Sequence, residues 1–468
     1  MDMQLKYKMR ILVAYVMIGI FLFSSCSSIS AVNYFFDNNY INPENKEGDI
    51  SIEYNEHTCD GYMICSIVPF MLLGDSHHAL LIDMDGNEVN KWYTIPDPVK
   101  MLPGGSIISA TGEYIDSWDS TNLTQLSWNG TIEWNFNGWD DDGTGTLMAR
   151  EHHDFQREGN PVGYYAPEQD FLPNGNTLIL AHKTVMNKSI SWKPIIDDVI
   201  YEVNWNGTLT GFEWHASEHI NQMGFTEKER KSIWLNPGGP GILLGCLPGD
   251  WIHINSVSLL GKNQWYESGD DRFHPNNLII SSRHASFIAI IDHNTGDIIW
   301  RIGPHYAKDS EEGQKLGEII GPHHAHIIPF GLPGSGNIIV FDNGGIAGYG
   351  FLGFPSQFRL YSRVIEFNPI TFEIEQEYMK KTGIIRLVRQ GDYHRFYSPT
   401  LCNVQRLPNG NTLVTEGLSG KIFEITPENM KIWEWVTPDK KDFIYRAYRV
   451  PPEWVPGNPA GYELWENI

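Results

Sequence analysis

The densest histidine cluster in the sequence is Pro322-His323-His324-Ala325-His326. An imidazole that opens a strand can have one ring nitrogen held while the other does nucleophilic or acid–base work. Three other stretches carry partners for such a ring: Asp250-Trp251-Ile252-His253-Ile254-Asn255-Ser256, Ser281-Ser282-Arg283-His284, and His152-His153-Asp154 with His182 downstream. Arg283 brings a permanent charge and a planar fork of donors suited to sulfate, phosphate or carboxylate oxygens. A neutral histidine can attack such a group while its neighbours stabilise charge or protonate the leaving atom. This chemistry needs no metal and no cofactor. Clustered histidines also ligate Zn or Cu, but an arginine is a poor neighbour for a dication. Taken singly, each histidine more often caps a strand at a wet edge. Asp154 reads either as the orienter of a ring or as a solvated turn carboxylate.

The elements that would position these residues form an internal repeat. A strand, a Gly/Asn/Asp turn and a second strand often carrying Trp recur six times: near 79–87, 125–134, 200–214, 287–300, 363–374 and 421–435. Leu172-Pro173-Asn174-Gly175-Asn176 and Leu407-Pro408-Asn409-Gly410-Asn411 are near copies that mark a second hairpin in their units. Each unit therefore reads as four antiparallel strands, and together they predict an all-β, six-bladed β-propeller over 61–436.

In an up-and-down blade, the start of the first strand and the end of the second lie at one rim. His153, with His152 beside it, precedes a first strand, and His182 ends a second. His253 and Asn255 open the next first strand, and Arg283 and His284 end its second. His323 opens the following one, and Asn343 ends its second. Convergence on one rim is what lifts the set above scattered surface histidines. Strand alternation is expected to put His324 opposite His323 and His326.

The chain has 468 residues, with 34 Lys and Arg against 57 Asp and Glu, a formal charge of -23. That balance argues against nucleic acid as a partner. Residues 1–26 read as an export leader: Lys6, Lys8 and Arg10 precede an apolar run from Ile11 to Phe23. Leu22-Phe23-Ser24-Ser25-Cys26 has the form of an imperfect lipobox. The reading is an exported protein, periplasmic or at the cell surface, with Cys26 or an uncleaved leader as alternative membrane tethers. Residues 27–60 read as an N-terminal extension and 437–468 as a tail packing on the propeller, either wrapping its exterior or helping to close the ring. Cys59 and Cys65 are close enough to close a small loop in an oxidising compartment, with Cys246 and Cys402 as buried thiols. Self-assembly is left open.

From His152 to Trp435 the ordered motifs Asp250-Trp251-Ile252-His253-Ile254-Asn255-Ser256, Ser281-Ser282-Arg283-His284-Ala285-Ser286, Pro322-His323-His324-Ala325 and Phe341-Asp342-Asn343-Gly344 resemble the PAPS-independent arylsulfate sulfotransferases. The resemblance implies a six-bladed propeller that moves a sulfuryl group from a phenolic sulfate ester to a phenolic acceptor through a sulfohistidine. It implies His323 as the nucleophile, with His253 and Arg283 on the sulfuryl oxygens and His153 as the upstream catalytic histidine, for which His152 competes. Asn255, His152, His284 and Asn343 are expected to contact substrate. Competing readings are a hydrolase on the same site, a non-catalytic surface propeller, and a metal- or quinone-dependent oxidoreductase.

Overall fold

The computed structural model describes residues 57–69, 77–95, 97–114, 119–141, 145–242 apart from 161, 163, 168 and 170, 248–379 apart from 308, 396–439 and 442–465. The leader, Cys26, most of the 27–60 extension and Cys246 lie outside them. No helix among the described residues is long and apolar enough to cross a membrane.

Tight turns fold each strand back on the last. At the 407–411 turn the Leu407 N–H donates to Asn411 O at 2.9 Å, and Gly410, at φ +89°, takes a left-handed position that a side chain would strain. The first sheet contains β1 (Tyr62–Val68), β2 (His78–Ile82) and β3 (Glu88–Tyr93). The next holds β4 (Val99–Met101), β5 (Ile107–Tyr114), β6 (Ser120–Leu126) and β7 (Ile132–Phe136). A short pair, β8 (Asp140–Asp141) and β9 (Leu147–Met148), leads to β10 (Glu151–Arg157), β11 (Thr177–Val185), β12 (Ile195–Val203) and β13 (Leu209–His215). A single pairing, Glu151 with Ser120, joins these two sheets.

Then come β14 (Ile254–Leu259), β15 (Leu278–Ser282), β16 (Phe287–Ile291) and β17 (Ile298–Ile302). β18 (Pro322–Ile327) and β19 (Ile338–Asp342) are followed by an inserted hairpin, β20 (Gly345–Tyr349) and β21 (Pro355–Arg359), before β22 (Arg363–Phe367) and β23 (Ile374–Met379) complete their sheet. The last sheet is β24 (Asn403–Arg406), β25 (Thr412–Glu416), β26 (Lys421–Ile425) and β27 (Lys431–Val436). Finally β28 (Phe443–Val450) pairs antiparallel with β1. Residues 443–450 are therefore a strand of the sheet that begins the chain, and a boundary at 437 cuts through that sheet. These antiparallel four-stranded blades form a β-propeller, closed by joining the two ends of the chain.

Outer-strand tryptophans clamp each blade to the next. The indole N–H of Trp92 donates to Ser127 O, Trp134 to Trp205 O, Trp214 to Gly296 O, Trp300 to Pro369 O and Trp433 to Met84 O, at 2.9 to 3.1 Å. In the remaining step the Gln376 amide reaches Thr426 O at 3.1 Å. Each acceptor is a turn carbonyl of the neighbouring blade, so the recurrent Trp is a satisfied interblade contact. Core strands face two clusters at once: Leu278 and Ile280 pack toward the sheet of β10–β13, while Ile279 packs toward that of β18–β23. This explains their unbroken apolar runs, since both faces of a blade are covered. Each such side chain contributes about 1.5–3 kcal/mol on burial.

Cys59, Cys65 and Cys402 are free and buried. The expected Cys59–Cys65 loop is absent: Cys65 lies in β1, its thiol directed to Leu80 O at 3.7 Å.

Candidate active site

Three successive first strands open with the same backbone device. Register shifts interrupt β10 between Glu151 and Phe155, β14 between Ile254 and Ser256, and β18 between His323 and His326. Within the breaks of β10 and β18, and just before that of β14, a histidine has positive φ: His153 at 66°, His324 at 54° and His253 at 52°. An L-residue other than glycine is uncommon there, with His, Asn and Asp enriched, and bulges of this kind re-aim side chains beside active sites. The rings brought together are His153 and His253, with centroids 4.5 Å apart, and His253 and His284, 4.6 Å apart.

His323 is held by its Nδ1. That atom lies 2.8 Å from Asn343 Oδ1 and 3.1 Å from Gly321 O. The Asn343 amide nitrogen donates to Ser398 O and Leu401 O, at 2.8 and 3.0 Å, so the side-chain oxygen faces the imidazole. Nδ1 must carry the proton, and Nε2 keeps its lone pair. Burial first, then the charge of Arg283 and the proximity of His253, hold the His323 pKa well below the usual histidine value. The ring is a neutral base at physiological pH.

Arg283 directly follows β15 and is 1% exposed; its backbone N–H donates to His253 O at 3.0 Å and its guanidinium to Pro399 O at 3.0 Å. His253 Nδ1 is 2.6 Å from Asp250 Oδ2. Burial would raise the Asp250 carboxyl, but His253 and His284 outweigh it and hold it well below the ordinary carboxylate range. An ionised Asp250 therefore accepts from His253 Nδ1 and leaves Nε2 for a proton to be given or taken. In sequence Asp250 is marked only by standing three residues before a histidine at the mouth of a strand.

The residues expected to contact substrate sit deeper than their motifs suggested. Asn343 spends its amide on His323, Ser398 and Leu401, so it orients the ring. Asn255 is fully buried, donates to Pro322 O at 2.8 Å and accepts from Ser281 Oγ at 2.8 Å, tying β14 to the residue before His323. His284 is fully buried with Nδ1 3.0 Å from Asp250 O, and burial lowers its pKa to about 3. His152 is fully buried behind His153, their Nδ1 atoms 2.9 Å apart, whereas His153 is partly open. These four residues are positional in this geometry.

His324 and His326 face away from the site together. Their rings are 4.6 Å apart, His324 Nε2 meets Tyr448 OH at 3.2 Å and His326 Nε2 meets Tyr164 OH at 2.7 Å. The expectation that His324 lies opposite both other rings is overturned: residues two apart share a strand face, so period two itself groups His324 with His326 and sets His323 on the other side. Asp154 is neither ring orienter nor turn carboxylate. It pairs with Lys100 at 2.7 Å and Arg446 at 3.1 Å and accepts from Val257 N–H at 3.0 Å, which binds β4, β10, β14 and β28 together.

Among the described residues two groups of side chains converge closely enough to hold a metal ion: His152, His182 and Asp198, and Asp250, His253 and His284. In the second, the 2.6 Å contact is a direct hydrogen bond that leaves no room for an ion between its partners. The carboxylates that frame His182 come from Asp119, the residue before β6, and from Asp198 on the neighbouring strand β12, and no local motif pointed to them.

Antiparallel blades thus bring together an anchored neutral histidine, an arginine and an Asp–His pair. The chain matches the Arylsulfotransferase (ASST) family over residues 161–446 and belongs to it. That family comprises the PAPS-independent aryl-sulfate sulfotransferases, whose substrates are phenolic sulfates. Among curated proteins none matches the chain. A solved protein of unknown function from Bacteroides caccae is 11% identical, with 83% of this chain and 98% of that one covered at a TM-score of 0.43. The Cps50 (Swd1) β-propeller domain of Myceliophteria thermophila is 8% identical, covering 86% and 90% at a TM-score of 0.36.

Proposed function

We propose that this protein is an exported six-bladed-propeller sulfotransferase that moves a sulfuryl group from a phenolic sulfate ester to a phenol by way of a sulfohistidine at His323. The observation that carries the reading is the anchoring of His323 Nδ1 by Asn343 Oδ1, which leaves Nε2 unprotonated beside Arg283. In the first half, Nε2 attacks sulfur, the N–S bond forms and the S–O bond to the aryl group breaks. The sulfohistidine keeps its Nδ1 proton against Asn343. The departing phenolate takes a proton from His253, whose Nδ1 rests on Asp250, and Arg283 stabilises the sulfuryl oxygens as charge shifts across them. In the second half an acceptor phenol attacks sulfur, its proton returns to His253, and His323 is freed.

His153, partly open beside His253, is placed to donate to the same oxygens. A fluorogenic aryl sulfate assayed with and without added phenol tests the reading. Release that rises with the phenol, with sulfated phenol as product, supports transfer. Release indifferent to the phenol points to water as acceptor, and no release in either arm points to a binding propeller.

A further inference from the structure

We infer that His152, His182 and Asp198 form a zinc site behind the rim, separate from the sulfuryl pocket. Three adjacent strands of one sheet supply it. His182 on β11 and Asp198 on β12 are direct cross-strand partners, so their side chains share a face, and His152 comes from β10 beside them. All three are at least 98% buried. His152 Nε2 and His182 Nε2 lie 3.4 and 3.7 Å from Asp198 Oδ1. Neither ring nitrogen, nor Asp198 Oδ2, has a hydrogen-bond partner among the described residues. Two buried imidazole nitrogens this near a carboxylate oxygen, yet without a hydrogen bond, are costly to leave unsatisfied.

The spacing names the occupant. Zinc arms of about 2.0–2.1 Å put tetrahedral ligand atoms about 3.4 Å apart, and two histidines with one carboxylate are a familiar zinc set with an open fourth position. The surroundings are those of ligands. His182 Nδ1 is 2.7 Å from Asp119 Oδ1, and Asp119 is itself gripped by Arg150 Nε and Nη2 at 3.1 and 2.9 Å. A carboxylate behind a histidine fixes the tautomer that turns Nε2 toward a metal. On the far side His152 Nδ1 contacts His153 Nδ1, and Ile254 N–H donates to Asp198 Oδ1 at 3.1 Å. The two rings stack 3.4 Å apart at 11°, and seating a cation between their Nε2 atoms spreads that stack at one edge. With zinc on His152 Nε2, the Nδ1 proton of His152 is donated to His153, whose own proton then sits on Nε2.

The test is zinc content of the purified full chain by mass spectrometry, after incubation with zinc chloride and gel filtration. It compares wild type with Asp198→Asn, His152→Gln and His284→Gln, each checked for fold by circular dichroism. About one zinc per chain is expected in wild type and His284→Gln, and little in the other two, with zinc raising the melting temperature only where it is retained. Wild type holding no more zinc than His152→Gln overturns the inference. So does zinc lost in His284→Gln but kept in Asp198→Asn, which moves the ion to the Asp250 cluster.

Discussion

The side-chain oxygen of Asn343 lies 2.8 Å from Nδ1 of His323, and the two carbonyls gripping the Asn343 amide nitrogen leave it no other orientation. One amide thus decides which nitrogen of the ring can react. Asn343→Leu removes the acceptor and strands the carbonyls of Ser398 and Leu401. kcat should fall about 10²-fold from loss of alignment, with about 1–3 kcal/mol of stability lost. Asn343→Asp keeps an acceptor for Nδ1 but cannot donate, so it should lose similar stability and much less activity. Steady-state kinetics beside urea melts separate the two, and equal activity losses would remove Asn343 from the ring's alignment.

Asp250 supports His253 as proton donor, and its removal should matter in proportion to how badly the leaving group needs a proton. For Asp250→Asn, kcat/KM on an activated nitrophenyl sulfate should change little. On unsubstituted phenyl sulfate it should drop about 10²-fold, the lower end of general acid effects. A series of substituted aryl sulfates would show a steeper dependence on phenol acidity in the variant. An unchanged slope assigns the proton to another group.

Neutral histidines buried in the fold make it sensitive to acid. Burial lowers the His326 pKa to about 4, and its Nδ1 donates to His324 O while Nε2 accepts from Tyr164. Unfolded, the same ring titrates near 6.5. As pH falls from about 6.5 to 4 the unfolded chain takes up a proton that the folded chain refuses, so stability drops through that window, by up to about 3 kcal/mol from this residue. His326→Gln should flatten that part of the stability curve and move the acid-unfolding midpoint down. A midpoint unchanged or raised would show that His326 does not carry the effect.

The blade repeat was legible because period-two strands, Asn-Gly turns and recurrent Trp are local signals. Strand topology then brings His153, His253, Arg283 and His323 to the rim where antiparallel geometry puts them. What could not be read was depth and direction. Asn343 and Asn255 look like substrate contacts in sequence, yet long-range partners such as Ser398 O and Pro322 O consume their amides. His324 shares its strand face with His326, two residues on, as period two requires, and not the face opposite it. That the tail could close the ring was legible, but not which of its residues, 443–450, form the closing strand, because their partner β1 is far away in sequence. Asp119 reaches His182 from the residue before β6, and Asp198 from the neighbouring β12.

The central claim is that His323 Nε2 carries the sulfuryl group between donor and acceptor. Intact-mass and peptide mapping under mildly alkaline conditions, after mixing with an aryl sulfate in the absence of acceptor, should find one added SO₃ on the peptide bearing His323. The mark should discharge when a phenol is added and be missing from His323→Asn, whose turnover should be lost. Turnover undiminished in His323→Asn, or the mark on another histidine, would contradict the account.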